Sequence, residues 1–347
     1  MVANNIGPSV FRARRGLEVA LPLFLPVYDR RGSLVSIDGW EETFGVEGCI
    51  SNAFFIYKDR ELRKRIKREG TPLSELLGYN GLLVTDSGAF QGFTGRLYLD
   101  NKKIVAFQDR LRADVISPLD FVTPPGDNRT EATWKVDSTL KRIREAKPLA
   151  KNTILAGVQQ GGRFADLREK SLEGLFEIGI EYLALGSLVP FFNRNHDLEF
   201  VGRVTHQARQ MAGPDIPIHI YGAGDPLELP FLYALGADIF DSASYGHYAQ
   251  GGWYMTPFGA LNADALGHLE AVTPCPCRFC AVTRPDALLR DPEGLASHNL
   301  WTIFETMRRL RRLGRGTELD RHLDVIVARH QAWFPDSALE RSWQALH

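Results

Sequence analysis

The chain has 347 residues, 44% of them hydrophobic and 24% charged, with 41 Lys and Arg against 42 Asp and Glu and a formal net charge of -1. That balance excludes a polycation drawn to nucleic acid by bulk charge, and the hydrophobic share is enough for a large buried core. No apolar run has transmembrane length and residues 1–10 lack the apolar centre of a signal peptide, so a cytoplasmic protein with no membrane contact is expected.

From residue 21 onward short apolar runs alternate with longer amphipathic ones. Strands are expected at 21–26, 49–55, 82–85, 115–119, 154–158, 182–185, 216–221 and 238–240. Helices are expected between them at 101–111, 130–150, 164–179, 198–212 and 226–236. The helix from Thr130 has Glu131 in its first turn and Arg142, Arg144 and Lys147 toward its end, as the helix dipole favours. Eight strands with helical crossovers predict an α/β fold, the (β/α)₈ TIM barrel; an open doubly wound sheet, the rival, would show fewer strands over this length. Near residue 273 the character changes to clustered cysteines, then Pro285, Pro292 and Gly294, then an amphipathic helix over about 300–313. The expected organisation is one catalytic domain over 1–347, with a small zinc subdomain at about 272–300 after the eighth strand and closing helices at about 300–347. Two basic runs, 60–68 and 308–315, read either as solvated helix faces or as local positive surface for a phosphate backbone.

Catalytic groups of a barrel sit just past the C-terminal ends of its strands. Asp86-Ser87-Gly88-Ala89-Phe90-Gln91, Asp120, Gln159-Gln160-Gly161-Gly162, Gly186-Ser187-Leu188, Tyr221-Gly222-Ala223-Gly224 and Asp241-Ser242 all fall there. One such aspartate can be a helix N-cap, but Asp86, Asp120 and Asp241 at separate strand ends converge on one mouth. Paired carboxylates suit chemistry at an anomeric carbon, where one attacks C1′ and the other handles the proton of the departing base. Asp120 and Gln160 match the donors and acceptors of a guanine-like base. Phe90 and Tyr221 offer flat faces for stacking, or else belong to the core. The glycines after Tyr221 make only a weak phosphate loop.

Cys275, Cys277 and Cys280 crowd into six positions, which suits a metal better than a disulfide framework. His298, one of nine histidines, is the expected fourth ligand. A closed Cys₃His set is a structural zinc site, with no position left for water. No organic cofactor is expected.

Together, Thr85-Asp86-Ser87-Gly88-Ala89-Phe90-Gln91, Gly157-Val158-Gln159-Gln160-Gly161-Gly162, the cysteine cluster and Ser297-His298-Asn299 resemble the tRNA-guanine transglycosylase family, in that family's order. Phe54-Phe55-Ile56-Tyr57-Lys58, Ser117-Pro118-Leu119-Asp120, Phe240-Asp241-Ser242-Ala243-Ser244-Tyr245 and Tyr254-Met255-Thr256-Pro257-Phe258-Gly259 look like its archaeosine-forming branch. The resemblance implies exchange of guanine in a polynucleotide for a free 7-deazaguanine base, such as 7-cyano-7-deazaguanine. It implies Asp241 as the nucleophile of a covalent ribosyl-enzyme and Asp86 as the proton-transfer group. It implies Ser87, Asp120, Gln160 and the backbone of Gly186-Ser187-Leu188 as base-recognition positions. Phe90 and Tyr221 become the two faces of the base sandwich, Gly222 joins the substrate-binding positions, and Cys275, Cys277, Cys280 and His298 hold zinc. A homodimer is expected as well. The chain departs from the family at Gly186-Ser187, where a Gly-Gly turn is usual, and at Ser244-Tyr245-Gly246-His247, where bacterial relatives carry a basic Pro-Thr-Arg segment. The resemblance makes tRNA the expected polymer, these departures keep DNA as the alternative, and a non-catalytic nucleic-acid-binding partner subunit is the second class of function.

Overall fold

A computed structural model describes residues 7–29, 32–89, 99–265, 267–268 and 275–346. The chain enters through an antiparallel hairpin, β1 (Val10–Arg12) and β2 (Glu18–Ala20). The parallel strands follow: β3 (Leu23–Tyr28), β4 (Gly48–Asn52), β5 (Leu82–Asp86), β6 (Val115–Ile116), β7 (Ile154–Leu155), β8 (Gly157–Gln159), β9 (Leu183–Leu185), β10 (Ile218–Ile220) and β11 (Ile239–Ser242). Their order is β7-β6-β5-β4-β3-β11-β10-β9-β8. β7 and β8 are halves of one run: Ala156 N donates to Ile116 O on one side (2.9 Å) and Gly157 N to Tyr182 O on the other (2.8 Å). Counting that run once turns nine segments into eight staves, closed where β11 pairs with β3. The fold is the expected TIM barrel.

Strand periodicity explains the two cores. Successive side chains point to opposite faces, so Leu23, Leu25, Leu82, Val84, Val158 and Ile239 fill the bore, while Phe24, Leu83, Ile218, Ile220 and Phe240 face the helices. Each such side chain, fully buried, stabilises the fold by about 1.5–3 kcal/mol. The hairpin, which sequence periodicity did not reveal, seats Phe11, Ala13 and Val19 against the lower end of the bore, Phe11 edge-on to Tyr182 at 5.7 Å.

The basic run 308–315 does something neither expectation foresaw. The helix Pro292–Leu313 lies outside β3, Phe304 edge-on to Phe24 at 5.8 Å, as the eighth outer helix. Arg308 donates to Phe44 O (2.9 Å), Arg311 to Pro22 O and Ala20 O (2.9 Å each), and Arg315 to Tyr233 O (2.9 Å) and Ala237 O (2.7 Å). These arginines satisfy backbone carbonyls beneath the barrel. In the helix Arg60–Glu69 the run instead forms exposed pairs such as Lys64–Glu61 and Arg65–Glu75, the solvated-face reading.

Two boundaries shift. Residues 53–55 are not strand: Asn52 accepts from Phe54 N (3.0 Å) and caps the helix Ala53–Lys58. The closing helix begins at Pro292, capped by Asp291, rather than near 300, so His298 lies within it. After β11 come the helix Ser244–Gln250 and the hairpin β12 (Tyr254–Thr256) and β13 (Gly259–Leu261). Among the described residues no helix is long and apolar enough to cross a membrane.

Candidate active site

The strand ends open into a cavity of about 240 Å³ whose lining includes Asn52, Asp86, Asp120, Gln160, Gly186, Ser187, Tyr221, Gly222 and Asp241. Asp86 ends β5, beside Asn52 at the end of β4; the Asn52 Nδ2 donates to Asp86 Oδ2 at 2.9 Å. Desolvation, then the neighbouring charge of Asp120 and that of Asp241, raise the Asp86 carboxyl from its ordinary 3.8 to about 7, against backbone hydrogen bonds from Gly88 and Ser87. Burial raises Asp120 to about 6, against the lowering effect of Gln160. Both keep part of their surface open to the cavity, so proton exchange with a ligand is possible. A carboxyl that titrates near neutrality can give and take a proton.

Asp120 anchors a chain of polar groups. Gln160 Nε2 donates to Asp120 Oδ2 (2.6 Å), Ser187 Oγ donates to Gln160 Oε1 (2.6 Å), and Thr123 N donates to Ser187 Oγ (2.8 Å). Ser187 thus uses its hydroxyl inside the turn, and it holds the left-handed conformation (φ 57) that a second glycine would adopt freely. At Gly186 there is no room for more: an added Cβ would lie 2.6 Å from Gln160 Nε2 and 3.0 Å from Gln159 O. Beneath the turn the fully buried Arg168 donates to Gly162 O (2.9 Å), Gln159 Oε1 (3.1 Å) and Gly186 O (3.1 Å), and burial lowers its guanidinium to about 9.

Tyr221 stands at the end of β10 with its hydroxyl 2.7 Å from Ser117 Oγ. Gly222 N donates to Asp241 Oδ1 at 3.2 Å, and His219 Nε2 lies 2.8 Å from the same oxygen. Leu188 is fully buried in the outer core and is not among the residues that line the cavity. Ser87 is fully buried, its hydroxyl without a partner among the described residues. Phe90 lies outside the described residues. Asn52, Ser117, Arg168 and His219 were not foreseen. Asn52 was hidden because the expected strand ran on through it to residue 55, and His219 because Ile-His-Ile reads as plain strand.

A larger cavity, about 670 Å³, opens between Arg194, Tyr248, Trp253 and the turn after Trp333. None of the candidate site residues lines it, so volume alone does not mark the chemistry.

The cysteine cluster is a separate centre. Sγ of Cys275, Cys277 and Cys280 lie 3.8, 3.5 and 3.4 Å from His298 Nδ1, and all four ligand atoms fall within 4.8 Å of one another. Edges of about 3.6 Å are what a tetrahedral ion with Zn–S and Zn–N bonds of ordinary length would impose, so the four can hold a metal ion. His298 Nε2 is 3.0 Å from Met255 O, which fixes the tautomer and leaves Nδ1 toward the thiols. Tyr254 stacks on His298 at 3.7 Å and brings its hydroxyl to 3.2 Å from Cys280 Sγ.

Comparison with known proteins agrees with this layout. A family model described as queuine tRNA-ribosyltransferase matches residues 9–331. The tRNA-guanine(15) transglycosylase of Pyrococcus abyssi is 34% identical over 321 residues, 91% of this chain and 53% of that protein. That of Methanosarcina mazei is 34% identical over 295 residues, 84% of this chain and 59% of the relative. That of Methanopyrus kandleri is 33% identical over 341 residues, 96% of this chain and 72% of the relative. The chain thus spans between half and three-fifths of the first two relatives. With the family model matching residues 9–331 and relatives one-third identical over most of the chain, the chain belongs to the queuine tRNA-ribosyltransferase family.

Proposed function

We propose that this chain is a pentosyltransferase that exchanges guanine in a polynucleotide, tRNA in the first instance, for a free 7-deazaguanine such as 7-cyano-7-deazaguanine. The observation that carries the reading is the convergence of Asp86 and Asp241 on one cavity that also presents the Asp120–Gln160–Ser187 chain. Asp241 attacks C1′ of the guanosine and forms a ribosyl ester, while Asp86 gives its proton to the departing guanine. The deazaguanine then enters the same cavity, loses a proton to Asp86 and displaces the Asp241 carboxylate, so two inversions retain the anomeric configuration. An Asp86 carboxyl raised to about 7 suits both transfers at neutral pH. Asp120 and Gln160 read the base edge, and Tyr221 gives one stacking face. Phe90 is proposed for the other.

DNA is the alternative polymer. A non-catalytic partner subunit is disfavoured by retention of both Asp86 and Asp241. The cysteine–histidine cluster would bind Zn²⁺ and support folding, and a homodimer in the cytoplasm, with contacts around Trp253, Trp301 and Trp333, completes the proposal; sedimentation as a monomer at micromolar concentration would remove that last part. Incubation with radiolabelled guanine and separate pools of tRNA and DNA tests the central claim. Label is expected in tRNA; label in DNA alone would transfer the reading to that polymer, and none in either would end it.

A further inference from the structure

We infer that His219 is a positioning residue for the nucleophile, an inference that rests on the base-exchange reading: it holds Asp241 Oδ1 so that Oδ2 is the oxygen offered to C1′. The argument starts from strand alternation in β10. Ile218 and Ile220 face the outer core, so His219 between them must point into the bore. There its neighbours are aliphatic side chains such as Leu23, Leu25 and Ile239, with Tyr182 just before β9. His219 and Tyr182 are both fully buried. An imidazole and a phenol sunk among aliphatics cost free energy unless their polar atoms are paired.

Half of that pairing is internal. The Tyr182 hydroxyl lies 2.8 Å from His219 Nδ1. The other ring nitrogen, Nε2, has no partner in hydrogen-bonding alignment, yet lies 2.8 Å from Asp241 Oδ1. The one polar atom left over by the pair is therefore aimed at the nucleophile. The ring is held edge-on by Tyr182 (5.9 Å, 89°) and Tyr221 (4.8 Å, 85°), so little rotation is open to it beyond the small turn that would align the bond. Hydrogen bonds at active sites commonly tighten in this way when the substrate enters.

Two donors then converge on one carboxylate oxygen. Gly222 N–H reaches Oδ1 at 3.2 Å from one side and His219 Nε2 from the other. Among the described residues Oδ2 has no donor. With Tyr182 donating to Nδ1, Nε2 is the nitrogen that carries a proton and donates it to Asp241. The two donors fix the carboxylate plane, and they stabilise the returning negative charge when the ribosyl ester breaks. Tyr182 acts one step further back, by choosing the tautomer.

The test compares His219→Leu, His219→Gln and Tyr182→Phe with the wild type in guanine exchange. His219→Leu is expected to lower kcat about 10- to 100-fold, the scale of a hydrogen bond to a charged group, with KM for the polynucleotide unchanged. Its melting temperature should fall by a few degrees, because the buried Tyr182 hydroxyl loses its partner, and kcat is read per folded enzyme. His219→Gln, whose amide N–H can reach the place of Nε2, should recover most of the rate, and Tyr182→Phe should lose about 3- to 10-fold. A wild-type kcat in His219→Leu, or a His219→Gln no better than His219→Leu, would overturn the proposal. If the wild type exchanges no base at all, the base-exchange reading fails, and ¹⁵N-histidine NMR still decides the pairing. An Nε2-protonated His219 whose proton resonance moves in Asp241→Asn is the expected result; an Nδ1-protonated ring, or a resonance blind to Asp241→Asn, overturns it.

Discussion

At the lower end of the barrel Asp238 is fully buried and shared between Arg209 and Arg315, with Ile218 N donating to it at 2.8 Å. Asp114, before β6, pairs with Arg15 at 2.8 Å and accepts from Leu83 N at 2.9 Å. At the mouth Asp86 and Asp120 form no ion pair among the described residues; their direct contacts are amides, and their carboxyls are raised to about 7 and about 6. The same residue type thus serves two purposes. Where a cation pairs directly, the carboxylate ties the chain together; where burial outweighs the other terms, as at Asp86 and at Asp120 with Arg142 only a charge nearby, the carboxyl is raised.

Exchanging the two kinds of site by mutation should separate rate from stability. Asp241→Asn is expected to reduce guanine exchange by about a thousandfold or more and to abolish the covalent nucleic-acid adduct on denaturing gels, with the melting temperature nearly unchanged. Near wild-type exchange would erase the distinction. Asp238→Asn should do the reverse, costing about 3–5 kcal/mol in denaturant unfolding because two arginines lose their charge partner, while the folded fraction keeps its kcat. The cysteine cluster sharpens the contrast from a third place. Metal removal by a chelator should lower the melting temperature by several degrees, followed calorimetrically, without altering the rate of protein that remains folded. A metal-free protein of unchanged stability would show that the cluster is not a folding element.

The smallest effect is one of pH. The folded Asp86 holds its proton up to about pH 7, whereas its ordinary value is 3.8. Between those values the folded state binds more protons than the unfolded one, so stability from this group is full below about pH 4 and is lost as pH rises through about 7. Asp86→Asn should flatten that slope and, above pH 7, stabilise the protein by about 1–3 kcal/mol, measured by urea unfolding across the range. The same variant should slow guanine departure. An unchanged pH slope would mean that the mouth aspartate is no different from those below.

The barrel mouth was readable because its polar residues interrupt apolar runs: Asp86 ends Leu-Leu-Val-Thr, and Asp241 follows Ile-Phe. What escaped was polar chemistry with no such edge. His219 sits between two isoleucines, and period-2 patterning only says that it faces away from them. Residues 53–55 looked like strand because Phe-Phe-Ile is an apolar run; a one-residue side-chain cap at Asn52 outweighed it. The stretch 292–299 looked like loop because Pro292, Gly294 and Asn299 are poor helix formers, yet Pro292 occupies the first helical turn where it is tolerated, and Asn299 is tied to Met255 N at 2.9 Å. The arginines at 308–315 could not be assigned from sequence, since their partners are carbonyls far away in the chain.

Gly186 bears on how the cavity can be re-tuned toward another base. A single methyl there would press on the Gln160 amide, on Val158 and on the Gln159 carbonyl together, and Arg168 braces the same turn from below. That wall is closed to incremental variation, because any enlargement disturbs both the Gln160 amide and the backbone beside it. Diversification of ligand shape has to run through the apolar side chains of the lining, Val122, Pro124, Val189 and Pro190. Libraries built at those four positions should yield altered base preference far more often than libraries at Gly186.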